Sequence, residues 1–257
     1  MEPNRISNNQ YSKIHIDPST LDVDELTAIL RRGANDHWNL GLTDLQISQF
    51  ARYAELLVDW NANRMNLTRL TSPRDIAVKH FLDSLALLKA IDIPANARLI
   101  DVGTGPGLPG IALKIARPDL DVTLLDSTGK KLTFCRAVVD DLGLSSPSSF
   151  QEEGRGKVSI VHARAEDLGR SADHAGRYDL VTARAVASLD KLLVWCAPFA
   201  KRPGGRIAAL KGALAQGEVD SARPVAKRLH LRLGQAISIA LPEVDEETVR
   251  QIVVASV

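Results

Sequence analysis

Cysteine is scarce in this chain, with two residues, Cys135 and Cys196, among 257. They form no C-x-x-C pair and no histidine stands at a zinc spacing, so a disulfide scaffold and a structural metal are both excluded. A reduced, cytoplasmic protein without metal is expected. No charge of one sign dominates: 32 Lys+Arg against 31 Asp+Glu leave a formal +1. A global basic field for nucleic acid is therefore missing, and any such surface must be local. Long apolar runs and a leader-like segment are missing too, which argues against a membrane span and against export. No internal repeat is visible.

What is present is concentrated at residues 99–111, LIDVGTGPGLPGI. Leu99, Ile100 and Asp101 read as the end of a buried parallel strand, and Gly103, Gly105 and Gly107 follow at every second position. Glycine is needed where the backbone takes positive φ or a ligand approaches the main chain closely. Pro109 suits the first turn of a helix, whose N-terminus would complete a nucleotide-sized pocket. The dinucleotide fingerprint G-x-G-x-x-G fails from Gly103 and fits only in the frame of Gly105, Gly107 and Gly110. Asp101 would repel a pyrophosphate and would suit a cationic ligand such as S-adenosylmethionine. An equally weighted reading, which can hold at the same time, has it bond the amides of its own turn.

Taken in order, residues 1–20 are rich in Asn, Ser and charge and read as a disordered tail. Residues 21–92 read as a helical cap. A short helix ends at Gly33, a longer one starts from Thr43 with an apolar stripe through Phe50, Tyr53 and Trp60, and another spans about 74–91. From residue 97 to 257 the pattern alternates strands with helices, which is the signature of a doubly wound α/β sheet. Strands are expected near 98–102, 121–126, 158–162, 178–183, 205–211, 229–240 and 248–256. Helices are expected near 108–117, 129–142, 188–200 and 214–228. Only a turn at Pro242, Glu243 and Asp245 separates the last two strands, so they should pair antiparallel. Seven strands with such a hairpin depart from the dinucleotide fold. Residues 144–157, Ser- and Gly-rich, read as a surface loop.

Asp126 ends the second strand, 23 positions after Gly103, where a carboxylate can accept from both ribose hydroxyls of an adenosine. Ala165, Glu166 and Asp167 follow the third strand at the adenine rim, or alternatively cap a helix. The fourth strand ends V-T-A-R-A and lacks the Asn/Asp-Pro-Pro-aromatic turn of amine methylation. Cys135 and Cys196 lie within helices and read as packing residues, not as the nucleophile that carbon-5 methylation needs. What remains is an acceptor that is already nucleophilic, such as guanine N7, for which positioning suffices and no general base is required. Arg184 is the candidate nearest the reacting groups, facing a cofactor carboxylate or an RNA phosphate. Its alternative is an ion pair with Asp179 or Asp190. Local basic groups, Arg64, Arg69, Arg74, Lys79 and His80 in the cap and Lys130 and Lys131 after Asp126, are either a solvated face or phosphate contacts.

The blocks NLTRLTS, KHFLDSLALL, LIDVGTGPGLPGIALKIARPDL, TLLDSTGKKLTF, ARAEDL, RAVASL and GGRIAALKG resemble the bacterial glucose-inhibited division protein B family, the RsmG-type small-subunit ribosomal RNA guanine-N7 methyltransferases. The resemblance covers residues 61–212. It implies a Rossmann-like class I S-adenosylmethionine-dependent methyltransferase, seven-stranded and mostly parallel with a terminal antiparallel hairpin. By that resemblance Gly103, Leu108, Asp126, Ser127, Thr128, Ala165, Glu166 and Arg184 contact S-adenosylmethionine; the residue-level reading adds Asp101 and Gly105. The substrate it implies is a guanine in the decoding-region loop of 16S rRNA, on a 30S ribosomal particle, and a monomer is expected. The other readings are a methyltransferase of another RNA or a small molecule, a nicotinamide oxidoreductase, and a non-enzymatic ribosome- or division-binding module.

Overall fold

A computed structural model describes residues 21–144, 156–184, 187–212, 217–243 and 249–257. The readings of the tail at 1–20 and of most of the 144–157 insertion lie outside the described residues. Seven strands form one sheet in the order β3-β2-β1-β4-β5-β7-β6: β1 (Arg98–Val102), β2 (Asp121–Asp126), β3 (Val158–His162), β4 (Leu180–Arg184), β5 (Arg206–Lys211), β6 (Arg232–Ala240) and β7 (Val249–Ser256). The first five are parallel, and β7 inserts antiparallel between β5 and β6. The expected terminal hairpin is present.

Alternation along the strands divides the interior into two cores. Leu99, Val122, Leu124, Leu180, Leu210 and Ile252 face one side, and Ile100, Val102, Leu125, Val181, Ile207 and Val253 face the other. The first side is covered by the N-terminal helices α1 (Val23–Arg31), α2 (Asp44–Asn63), α3 (Pro73–Asp75) and α4 (Asp83–Ala90), with α5 (Gly110–Ala116) and α6 (Gly129–Asp141). The aromatic stripe of α2 lies wholly inside: the rings of Phe50 and Tyr53 pack tilted against Phe81 at 4.9 and 5.4 Å, and Trp60 meets Phe134 of α6 edge-on at 5.4 Å. Cap and sheet thus share one core. On the opposite side lie α7 (Ala165–Leu168), α8 (Leu189–Cys196) and α9 (Glu218–Arg228).

Thr43 caps α2 through a reciprocal box with Gln46, a device that contributes about 1 kcal/mol. Several expected boundaries move. Gly33 does not end α1, because the chain winds on through a π-helical turn at Arg32–His37. Pro109 is the N-cap of α5, which begins only at Gly110. The helix expected at 188–200 stops at Cys196 and tightens into a 3₁₀ turn at Ala197–Phe199 around Pro198, which has no N–H to continue it. Strand β6 starts at Arg232 instead of 229, since Leu229 and His230 still bond back to Val225 and Lys227 at the end of α9. The segment expected as one helix over 74–91 is α3, a π-helical stretch at Ile76–Leu82, and α4 in continuous succession. Ser72 caps it, accepting from Asp75 N.

Candidate functional site

The chain after β1 turns through Gly103, Gly105 and Gly107 with φ of +71°, +58° and +97°. That is the left-handed backbone the alternating glycines called for. The turn consumes its own donors. Gly103 N and Thr104 N donate to Leu125 O, Gly107 N and Leu108 N to Thr104 O, and Ile111 N to Gly107 O. Gly105 N donates to Asp126 Oδ2 at 2.9 Å and Gly110 N to Asp101 Oδ2 at 2.9 Å. Pro106 and Pro109 carry no N–H. Every backbone N–H from 103 to 111 therefore already has an acceptor. The helix N-terminus therefore offers no amide to an anion, because the Asp101 carboxylate already takes the Gly110 N–H.

Asp101 is fully buried. Besides Gly110 N it accepts from Thr104 Oγ1 at 2.6 Å and Thr182 Oγ1 at 3.2 Å, so it ties β1, the turn and β4 together. Burial pushes its pKa up to about 6, against the pull of Thr104, Gly110 and the Arg184 charge. The reading in which Asp101 bonds within its own turn describes this geometry; a free carboxylate aimed at a ligand does not. Two further groups brace the turn from the cap side. Tyr53 Oη donates to Pro106 O at 2.5 Å, and Cys135 Sγ points at Gly105 O at 3.4 Å. Burial pushes the Tyr53 hydroxyl and both cysteine thiols up, which suits packing and not nucleophilic chemistry.

An open cleft of about 420 Å³ lies at the carboxyl edge beside this turn, next to the β1–β4 point where the strand order reverses. Val102, Gly103, Leu125, Asp126, Ser127, Thr128, Lys131, Ala163, Arg164, Ala165, Glu166 and Trp195 line it. Of the expected contacts, Gly103, Asp126, Ser127, Thr128, Ala165 and Glu166 meet here. Asp126 is held by Gly105 N and by Thr128 N at 2.7 Å, so its carboxylate is fixed in place with lone pairs left for a ligand. Leu108, Gly105 and Asp101 are not on the wall. Leu108 is buried in the cap-side core. Ala163, Arg164, Leu125 and Trp195 were not anticipated; apolar residues at strand ends and a Trp on α8 give no signal distinct from packing.

Arg184 ends β4 but turns away from the cleft lining. Its partner is neither Asp179 nor Asp190 but Asp83 of α4, at 2.9 Å, with side-chain exposures of 14% and 1%. The basic set of cap and α6 also separates, with Lys131 on the cleft wall. Arg69 and Lys130 are exposed, Arg64 lies 4.5 Å over the Trp60 ring, and Lys79 pairs with Asp75 at 2.7 Å while staying half exposed. His80 is buried, with Nε2 2.9 Å from Thr68 Oγ1. Burial and then the Arg184 charge lower its pKa to about 4. A neutral histidine inside the cap cannot be the surface phosphate contact expected of it.

A mostly parallel sheet with an antiparallel β7, a closed glycine turn after β1 and a cleft flanked by a fixed carboxylate after β2 define a Rossmann-like class I methyltransferase. A methyltransferase from Haloferax volcanii, solved with its Trm112 activator, superposes with a TM-score of 0.50 over 69% of this chain and 90% of that one at 14% identity, a likeness of fold alone. Residues 46–239 match the family described as GidB, rRNA small subunit methyltransferase G, and the chain belongs to that family. Proteins named ribosomal RNA small subunit methyltransferase G are 39% identical in Alkaliphilus oremlandii, over 85% of both chains, and 44% identical in Roseiflexus castenholzii, over 84% of this chain and 86% of that one.

Proposed function

We propose that this protein transfers a methyl group from S-adenosylmethionine to N7 of a guanine in the decoding-region loop of 16S rRNA, acting as a cytoplasmic monomer on the 30S ribosomal particle. The observation that carries the reading is the self-satisfied turn at 103–111. A dinucleotide needs free amides for its pyrophosphate, and here they are all engaged. The residues present fit a phosphate-free nucleoside instead. Asp126 offers fixed acceptors to the ribose hydroxyls, Ser127 and Thr128 close one wall, Ala165 and Glu166 meet the adenine rim, and Val102, Leu125 and Trp195 supply apolar surface.

When bound, S-adenosylmethionine supplies an electrophilic methyl on a sulfonium. The chain's own part is positional. Guanine N7 carries a free lone pair and no proton at neutral pH, so no side chain has to remove one. Holding donor and acceptor in line and excluding water provide the rate. The buried, doubly braced turn supplies rigidity for that, since Tyr53 fixes Pro106 from the cap and Asp101 fixes Gly110 from below.

The test is transfer of a labelled methyl group from S-adenosylmethionine to small subunits from cells lacking the enzyme. Label at a guanine N7 of 16S rRNA is expected. Label elsewhere, or none, would defeat the proposal.

A further inference from the structure

The carboxyl edge continues past the cleft, over β4, β5 and β7. Arg184 pairs in register with Leu210, and Lys211 with Gln251, so Arg250 stands at the same edge as the end of β4. Both guanidinium groups converge on one carboxylate. Asp83 Oδ2 accepts from Arg184 Nη1 and Oδ1 from Arg250 Nε. The two arginine side chains are 14% and 15% exposed and Asp83 1%.

Two positive groups share one negative one here, and among the described residues no other carboxylate pairs with either arginine. Lys211 is engaged by Glu218 at 2.8 Å and by Ala187 O. His80 stays neutral, as described above. Arg184 Nη1 has a second acceptor in Lys79 O at 3.3 Å. Among the described residues, Arg184 Nε and Nη2 and Arg250 Nη1 and Nη2 have none. These free donors reach solvent, since among the described residues His80 Nδ1 is the one buried side-chain polar atom without a partner, so an incoming oxyanion can meet them at the rim while the rest of each arginine stays packed and largely desolvated. Asp83 holds the two forks in fixed orientations, which favours a bidentate oxyanion over a diffuse counterion.

We propose that Arg250, beside Arg184 and oriented by Asp83, is a seat for a backbone phosphodiester of the RNA strand that carries the acceptor base. The inference rests on the function proposed above. The carboxylate of the methyl donor has the same oxyanion chemistry, and the experiment separates the two. Arg250 lies beyond the segment whose motifs resemble the methyltransferase family, and Asp83 is the positioning residue.

The full chain carrying Arg250→Gln is assayed for methyl transfer to unmodified small subunits over a range of salt, and titrated with S-adenosylhomocysteine. The expected result is a KM for the particle raised about tenfold with a smaller change in kcat, and a log–log salt dependence shallower by about 0.7 to 0.9, one phosphate contact. Affinity for S-adenosylhomocysteine should be unchanged. Arg250→Lys, which keeps the charge but not the fork, should recover part of the KM and the salt slope. Asp83→Asn should reproduce the particle defect. A wild-type KM and slope in a folded Arg250→Gln protein would overturn the inference while leaving the proposed function standing. A fall in S-adenosylhomocysteine affinity would assign the seat to the donor's carboxylate and overturn it as well. Failure of the unaltered protein to methylate the particle would bring down both.

Discussion

The two halves of one sheet edge are built in opposite ways. Over β1, β2 and β3 the protein presents acceptors: the glycine turn has no spare N–H, and the fixed carboxylate of Asp126 stands at the wall. Over β4, β5 and β7 it presents donors, with two guanidinium groups on one aspartate. The buried titratable groups beneath follow suit. Asp101 is held up near 6 and His80 is held down near 4. The proposed function uses this contrast, with a phosphate-free nucleoside on one side and a polyanion on the other.

The strongest way to break this contrast is to remove the fixed acceptor. Asp126→Ala should cut affinity for S-adenosylhomocysteine about a hundredfold, the scale of charge-assisted hydrogen bonds worth roughly 1.5–3 kcal/mol. Calorimetric titration reads it, and retained affinity would show that the ribose is held elsewhere.

The buried histidine gives the next largest effect. Its folded pKa near 4 lies below the unfolded 6.5, so between those values the unfolded chain binds a proton that the folded chain refuses. Stability from this group is therefore complete above pH 6.5 and falls toward pH 4, by up to about 3 kcal/mol. Asp101 works in the opposite sense between 3.8 and 6, because there the folded chain keeps the proton. The readout is thus the difference between variant and unaltered protein. In urea unfolding at pH 4.5 and 7.5, His80→Gln should show a smaller loss on acidification, and an unchanged loss would place the acid sensitivity in other groups.

Charge reversal on the exposed cap sharpens the comparison further. Arg69→Glu with Lys79→Glu should raise KM for the particle about tenfold while donor affinity holds, as expected for backbone contacts. Equal losses in both would make the cap merely structural. Smallest is Tyr53→Phe, which leaves Pro106 O without its donor at a cost of about 1 kcal/mol. A few-fold loss in donor affinity is expected, and none would mean the cap does not brace the turn.

The acceptor half was legible in the sequence and the donor half was not. Alternating glycines after an apolar strand have one backbone solution, and an acid at the end of the next strand has few uses, so Gly103 and Asp126 could be found from spacing. Asp101 carried two readings because a carboxylate before a glycine turn satisfies either a ligand or the turn itself; only its burial against Thr104, Gly110 and Thr182 decides. Arg184 was found as a charge at a strand end, yet its partner Asp83 lies 101 positions away in the cap. An acid inside the apolar stretch HFLDSLALL was the available signal. Arg250 opens a strand on the far side of the sheet, and no local pattern links it to either. Likewise His80 looked like one of a basic cluster, because helical spacing cannot tell which face of a π-helical stretch points inward.

Titrating the purified protein in parallel with S-adenosylhomocysteine and with a nicotinamide dinucleotide tests the central claim most directly, that the turn after β1 leaves no amide for a phosphate. Saturable heat with S-adenosylhomocysteine and none with the dinucleotide is the predicted result. Saturable dinucleotide binding, with silence toward S-adenosylhomocysteine, would contradict it.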